Sequence, residues 1–220
     1  MSDATKDASS GNVTPLFPDR TAAARLAAAH DQVILEGGAD AAAEPGVLVR
    51  RMRLDAERPP ARPVPMPHGP RLGLLRLREV PLAFYRFLFD GVGRGHHWRM
   101  LAPGETSEAL EQRLNGSGRE VHVLYVGGAP AGFFELSLER LASDRMVTIE
   151  CFGLMDYARG RGLSRWFLHG AIRAAWEKEP ALVRLWTNSL DSPIALRLYQ
   201  EAGFEVTDTI DGTLPDGDET

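Results

Sequence analysis

The order of strand-like and helix-like segments in this chain predicts an α/β (α+β) fold, a mixed and mostly antiparallel central sheet flanked by helices on its faces. Two observations carry that expectation. Beyond residue 119, three apolar segments follow one another through short turns, which antiparallel neighbours permit and parallel ones do not. After them, helix and strand patterns alternate, as they do when helices cover a sheet.

Residues 1–70 read as a flexible N-terminal leader, because Ser, Asp, Pro and Ala dominate and RPPARPVPMPHGP sustains neither a helix nor a ladder. Within it, DRTAAARLAAAHDQVILEG fits one short helix, capped by Asp19 or Thr21 and stopped at Gly37 and Gly38. A single folded domain is expected over 71–210, with 211–220 as a disordered tail. RLGLLRLR alternates as a short strand does, and Pro81 opens a helix, LAFYRFLFDGVG, with aromatics at helical spacing. Ser107 reads as the cap of a short helix, EALEQRL. EVHVLYV and APAGFFELSLE meet at Gly127-Gly128 as a hairpin, and RMVTIECFGL follows as a third strand. The loop YARGRG leads into an amphipathic helix, with Leu163, Trp166, Phe167, Ala171 and Ala174 on one side, which ends before Pro180. ALVRLWT is a strand, and NSLDSP leads into the helix IALRLYQEA, closed by Gly203 before the strand FEVTD.

Composition narrows the function classes. The 220 residues suffice for one buried core, and no apolar run approaches the ~20 residues that cross a membrane. A formal net charge of −5, with arginines spread along the chain, argues against nucleic acid as a partner. Cys151 stands alone, so no internal disulfide and no cysteine-rich metal site can form. MSDATKDASSGNV has neither a basic n-region nor an apolar h-region, and the expected location is the cytoplasm.

Arg159-Gly160-Arg161-Gly162-Leu163-Ser164 lies between an apolar strand and an apolar helix. Two glycines let successive backbone N–H groups converge without interference from Cβ atoms, which makes an anion nest on a helix N-terminus. Two arginines add charge-assisted contacts and suit a diphosphate better than a single carboxylate. The competing reading is a Gly-Arg turn that merely starts a helix. GxGxxG is absent, no Lys-Ser/Thr pair follows, and the strands before the loop form a meander rather than a βαβ unit. A phosphate ligand other than a dinucleotide is therefore implied, with ATP on the same loop as a weaker option.

The loop resembles the pyrophosphate loop of the GCN5-related N-acetyltransferases, Arg/Gln-x-x-Gly-x-Gly/Ala, with Arg159, Gly162 and Ser164 on its three fixed positions. Ser164 departs from the usual Gly or Ala, but it is small and suited to capping the helix. Ala195-x-x-Leu198-Tyr199-x-x-x-Gly203-Phe204 is similar, residue for residue, to the family's downstream helix and turn. The resemblance covers roughly Leu72 to Thr207. FYRFLFDGVG, HHW, VLYVGGAPAGFFEL and ECFGL are similar to a bacterial branch whose substrate is unassigned.

The resemblance implies an N-acyltransferase that moves an acetyl or other acyl group from acetyl-CoA, its co-substrate, to an amine by direct attack in a ternary complex. It places the pantetheine arm against the backbone of Phe152 and Leu154, with an N–H near Phe152 turned to the thioester oxygen. The diphosphate would lie on Arg159, Gly160, Arg161, Gly162, Leu163 and Ser164. Ser192 stands where many members carry Asn near the pantetheine arm. Tyr199 is the candidate acid for the CoA sulfur, against a reading as an amphipathic tyrosine packed on the core. Glu150 is the candidate base, acting through water, against a reading as an exposed strand glutamate.

His96, His97 and Trp98 follow the aromatic helix, where the resemblance implies an acceptor-binding loop, and are candidates for the amine pocket, against a solvated loop with one buried Trp. Glu135 and Trp186, each on a strand expected to border the cleft, are further pocket candidates. Adjacent histidines point apart and no carboxylate or thiol lies at ligand spacing, so no metal is expected. Cys151 reads as a small core filler, since direct transfer needs no acyl-enzyme. The expected partner is a small-molecule or peptide amine, with no nucleic acid and no membrane, and a homodimer is left open. The alternative function is a non-catalytic acyl-CoA-binding regulatory module.

Overall fold

A computed structural model describes residues 48–57, 59–60, 63–68, 71–93, 98, 100–101 and 104–213. The elements in chain order are β1 (Leu48–Ala56), β2 (Leu72–Arg76), α1 (Leu82–Gly93), α2 (Ser107–Leu114), β3 (Arg119–Val126) and β4 (Ala129–Ser137). There follow the single turn α3 (Leu141–Asp144), β5 (Met146–Leu154), a 3-10 turn (Asp156–Ala158), α4 (Leu163–Trp176), β6 (Leu182–Asn188), α5 (Pro193–Glu201) and β7 (Glu205–Thr213). Among the described residues, seven strands form one sheet in the order β2-β3-β4-β5-β6-β1-β7, parallel only between β5 and β6.

The meander is held by its turns. Gly127 and Gly128 both take positive φ, 62° and 92°, as a two-residue hairpin requires, and β3 and β4 pair on either side of them. β5 then pairs with β4, and α4 carries the chain back so that β6 lies parallel to β5. The sheet separates two cores. Phe167, Leu168, Ala171 and Ile172 of α4, with Tyr199 and Phe204 near α5, pack on one face against Val147, Ile149 and Leu185. Tyr85, Leu88 and Phe89 of α1, with Leu110 and Leu114 of α2, pack on the other against Val121, Val123 and Phe133. α2 is capped by Thr106, whose side chain accepts from Ala109 N, so the cap lies one residue before Ser107.

The first boundary needs correction. β1 lies inside the stretch read as leader, yet it sits between β6 and β7 and pairs antiparallel with both. Met52, Leu54 and Ala56 face the core, and Leu54 is fully buried. The intervening residues carry charge instead. Asp55 accepts two hydrogen bonds from Arg184 and one from Thr207. The folded region thus begins at or before Leu48, not at Arg71, and β7 runs to Thr213, past the expected start of the tail. The helix expected over 19–37 lies outside the described residues. From β1 the chain must reach β2 on the opposite edge, and on the way Val64 meets Leu168 and His169 of α4 and Leu198 of α5 across a cavity of about 370 Å³.

Candidate functional site

The sheet opens where the site lies. β5 and β6 stay in register from Met146↔Leu182 to Ile149↔Leu185 and pair no further. On the other side of β5 the ladder with β4 shifts at the same level: Glu135 pairs with Cys151, Leu136 with Ile149, and Glu150 is the extra residue of a bulge. A bulge sharpens local twist, and here it turns the end of β5 away from β6. It also changes which residues face α4, from Val147 and Ile149 before it to Phe152 and Leu154 after it. The resulting cleft encloses about 240 Å³.

One wall of the cleft comes from β5 and the glycine loop, with Phe152, Leu154, Arg159, Gly160 and Ser164; Ser192, Ala195, Leu198 and Tyr199 supply the facing wall. The loop leaves a helix end open toward the cleft. Gly160 and Gly162 adopt φ of 72° and 70°, a region that glycine enters without strain, and Gly162 is the N-cap of α4 with no side chain bonded to the helix end. The first-turn N–H groups of this fourteen-residue helix thus have no side-chain cap, and uncapped helix ends of this kind can hold anions. Ser164 is therefore not the cap; it is the second residue of the helix and lines the cleft. Leu163 turns its side chain into the core, so only its backbone can serve the loop.

Arg159 and Arg161 differ. Arg159 donates from Nε to Leu154 O at 3.1 Å and sits 2.9 Å from Asp156 Oδ1, so it braces the turn between β5 and α4 while remaining half-exposed. Arg161 is exposed at the loop tip. Ser192 caps α5, its hydroxyl accepting from Ile194 N. Beside it Asp191 accepts from Thr187 Oγ1 at 2.7 Å and from Asn188 N at 3.0 Å, which closes the NSLDSP turn over the cleft.

Tyr199 lines the cleft and also packs in the core, its ring edge-on to Phe152 at 6.3 Å. Burial, and then the nearby Asp191 carboxylate, push its phenol well above the usual range, so the hydroxyl stays protonated. Glu150 lines the cleft as well, but it is not an exposed strand glutamate: its side chain is 8% exposed and lies 3.2 Å from Arg119 Nη1.

The pocket candidates divide. Trp98 borders the cleft, wedged against Phe89 and Phe133 at 5.6 and 6.3 Å. Trp186 borders it from β6, with Arg53 6.0 Å from its ring centre and its buried Nε1 without a hydrogen-bond partner. Glu135 does not reach the cleft. It faces α1, buried, taking a hydrogen bond from Tyr85 Oη at 2.6 Å and another from Arg119. Its strand was expected to border the cleft, but β5 lies between β4 and the opening. His96 and His97 lie outside the described residues. Cys151 packs with the α1 core, and burial followed by Glu135 raises its thiol well above the ordinary range. Val92 and Gly153, which the sequence reading passed over, also line the opening; the signal was a glycine inside an apolar strand, a mark of close backbone approach. Among the described residues no group of His, Cys, Asp and Glu could hold a metal, and no helix is long and apolar enough to cross a membrane.

No family model matches the sequence, and no curated protein matches it. Solved structures do. A GCN5-related N-acetyltransferase from Kribbella flavida superposes with a TM-score of 0.51 at 16% identity, over 85% of this chain and 64% of that one. Another, from Sphaerobacter thermophilus, gives 0.50 at 19% identity, over 92% and 59%. The chain has the fold of the GCN5-related N-acetyltransferases. A Drosophila protein superposes at 0.52 with 10% identity, over 85% and 56%. This chain spans less than two thirds of each of these three proteins. The shared fold accounts for the mostly antiparallel seven-stranded sheet with helices on both faces.

Proposed function

We propose that this chain transfers an acetyl or similar acyl group from acyl-CoA to an amine, with donor and acceptor bound together. The observation that carries the reading is the opening between β5 and β6, which starts at the Glu150 bulge and runs to a glycine loop on an uncapped helix end. An extended pantetheine arm is a strand without a sheet, and the backbone from Cys151 to Leu154, paired with β4 but not with β6, offers it a ladder on its β6 side. The N–H groups of Gly160, Arg161, Gly162, Leu163 and Ser164 fit its diphosphate, with Arg161 adding charge.

The amine nitrogen attacks the thioester carbonyl carbon, the C–S bond breaks, and sulfur departs as thiolate. Glu150, through water, takes the proton the amine must lose. Tyr199, kept protonated by burial, gives one to the sulfur and is reprotonated from solvent. A backbone N–H near Phe152 steadies the charge that forms on the carbonyl oxygen. Trp98 and Trp186 form aromatic walls about the amine.

Calorimetric titration with acetyl-CoA tests the reading. The wild-type chain binds in the micromolar range, and an Arg159→Ala, Arg161→Ala variant loses that binding. Tyr199→Phe binds normally but releases free thiol, with an amine accepted by the wild type, about 100-fold more slowly or worse. A folded wild-type chain that ignores acetyl-CoA would discard the proposal; normal binding with no turnover on any amine would favour the regulatory module.

A further inference from the structure

The bulge takes Glu150 out of the cross-strand ladder with β4. An arginine from two strands away reaches its carboxylate. Arg119, the first residue of β3, has a side chain with no exposed surface and reaches beneath β4, placing Nη1 3.2 Å from Glu150 Oε1 and 3.1 Å from Glu135 Oε1. Its Nε donates to Glu139 Oε1 at 3.1 Å. Nη2 lies as close to that oxygen without bonding to it, so this guanidinium keeps a buried donor in reserve. One planar fork therefore serves three carboxylates on three different segments, a task a lysine ammonium cannot match.

We infer that Arg119 is the positioning residue for Glu150, tying the bulge carboxylate to Glu135 and Glu139 so that it meets the cleft in one orientation, with its charge set by how the three share the guanidinium. The inference rests on the reading of Glu150 as the base of acyl transfer. Glu135 is the lever in this arrangement, since it competes with Glu150 for the same nitrogen. It is held in turn by the Tyr85 hydroxyl and by Arg113, whose Nη1 lies 3.7 Å away while its Nε and Nη2 donate to Glu105. Cys151 adjoins Glu150 on the strand, and Tyr199 and Asp191 face it from the other wall of the cleft.

Carbon-13 labelling of glutamate carboxyl groups, with the Glu150 signal assigned by its loss in Glu150→Gln, reads the protonation of Glu150 directly by NMR in the full chain. Glu135→Gln keeps the shape, removes a like charge and frees the guanidinium, so the Glu150 midpoint moves down by about one pH unit. Arg119→Met moves it up by a similar amount, and Arg119→Lys falls between. Should Arg119→Met not fold, Arg119→Lys still decides, because it keeps the charge and removes only the fork. A purely structural arginine would change thermal stability and leave the Glu150 midpoint in Arg119→Lys where it is in the wild type, and that result overturns the inference. Acetyl-CoA calorimetry on the same samples separates the two levels. Binding with an unmoved midpoint removes the positioning role alone, whereas a shifted midpoint without binding removes the acyl-transfer reading and leaves the linkage between Arg119 and Glu150.

Discussion

Val92 packs directly onto the missing side chain of Gly153: a Cβ added there would overlap Val92 Cγ1. The same region is tight toward β4, where a Cβ on Gly132 would stand 2.5 Å from Gly153 O. Gly153 thus lets the end of α1 lie flat on β5 at the mouth of the cleft, where Val92 and Trp98 both line it, while Gly132 lets β4 and β5 approach closely. Gly153→Ala should push α1 away, costing about 1–3 kcal/mol through overpacking, and it should weaken acetyl-CoA binding because that wall moves. Urea unfolding and calorimetry measure the two effects. An unchanged unfolding midpoint would show that α1 is free to yield.

Leu54 gives the second prediction. It is fully buried between β6 and β7 in a segment whose composition resembles a leader. Leu54→Ala should cost about 2–5 kcal/mol, a core-sized loss. Deleting residues 1–60 should abolish folding, because it removes β1, the strand that joins β7 to β6. A truncated chain that unfolds cooperatively at the wild-type midpoint would refute the placement of β1.

These two residues also show what the sequence made legible. The glycine loop and the Tyr199 helix are local: their spacing is dictated by a turn or by 3.6 residues per turn, so each was readable where it stood. β1 was not. Its core positions Met52, Leu54 and Ala56 alternate with Arg51, Arg53 and Asp55, a proper half-buried strand pattern. Between an alanine-rich stretch and a proline-rich one, those charges read as solvated chain. Their ion pairs with Arg184 and Asp208 belong to strands more than 120 residues away, which no local pattern announces. Glu135 failed for a related reason. Its strand was foreseeable, but which face it took and what covered it depended on the position of β5 in the sheet and on Tyr85 and Arg119 from two other elements.

His122 gives the last prediction, a pH dependence of stability. Its ring stacks on Phe134 with centroids 4.5 Å apart and planes 14° from parallel, and Nε2 lies 3.1 Å from Glu120 Oε2. Burial pushes the imidazole below its ordinary value; Glu120 opposes that shift without reversing it. The unfolded chain therefore takes up this proton first as the solution is acidified, near pH ~6.5, so the stability is present above that pH and is lost as pH falls toward the lower folded value. For Glu120, burial alone would raise the carboxyl, but hydrogen bonds from Lys178 and His122 bring it below its usual value. Its own contribution is thus lost only at more acid pH, below about 4.5. His122→Phe keeps an aromatic ring on Phe134 and removes the titrating group. Urea midpoints compared at about pH 7.5 and about pH 5.5 should fall on acidification in the wild type and fall less in the variant. Equal falls in both proteins would assign the acid sensitivity to other groups, His169 first among them, since burial and then Arg165 lower its pKa as well.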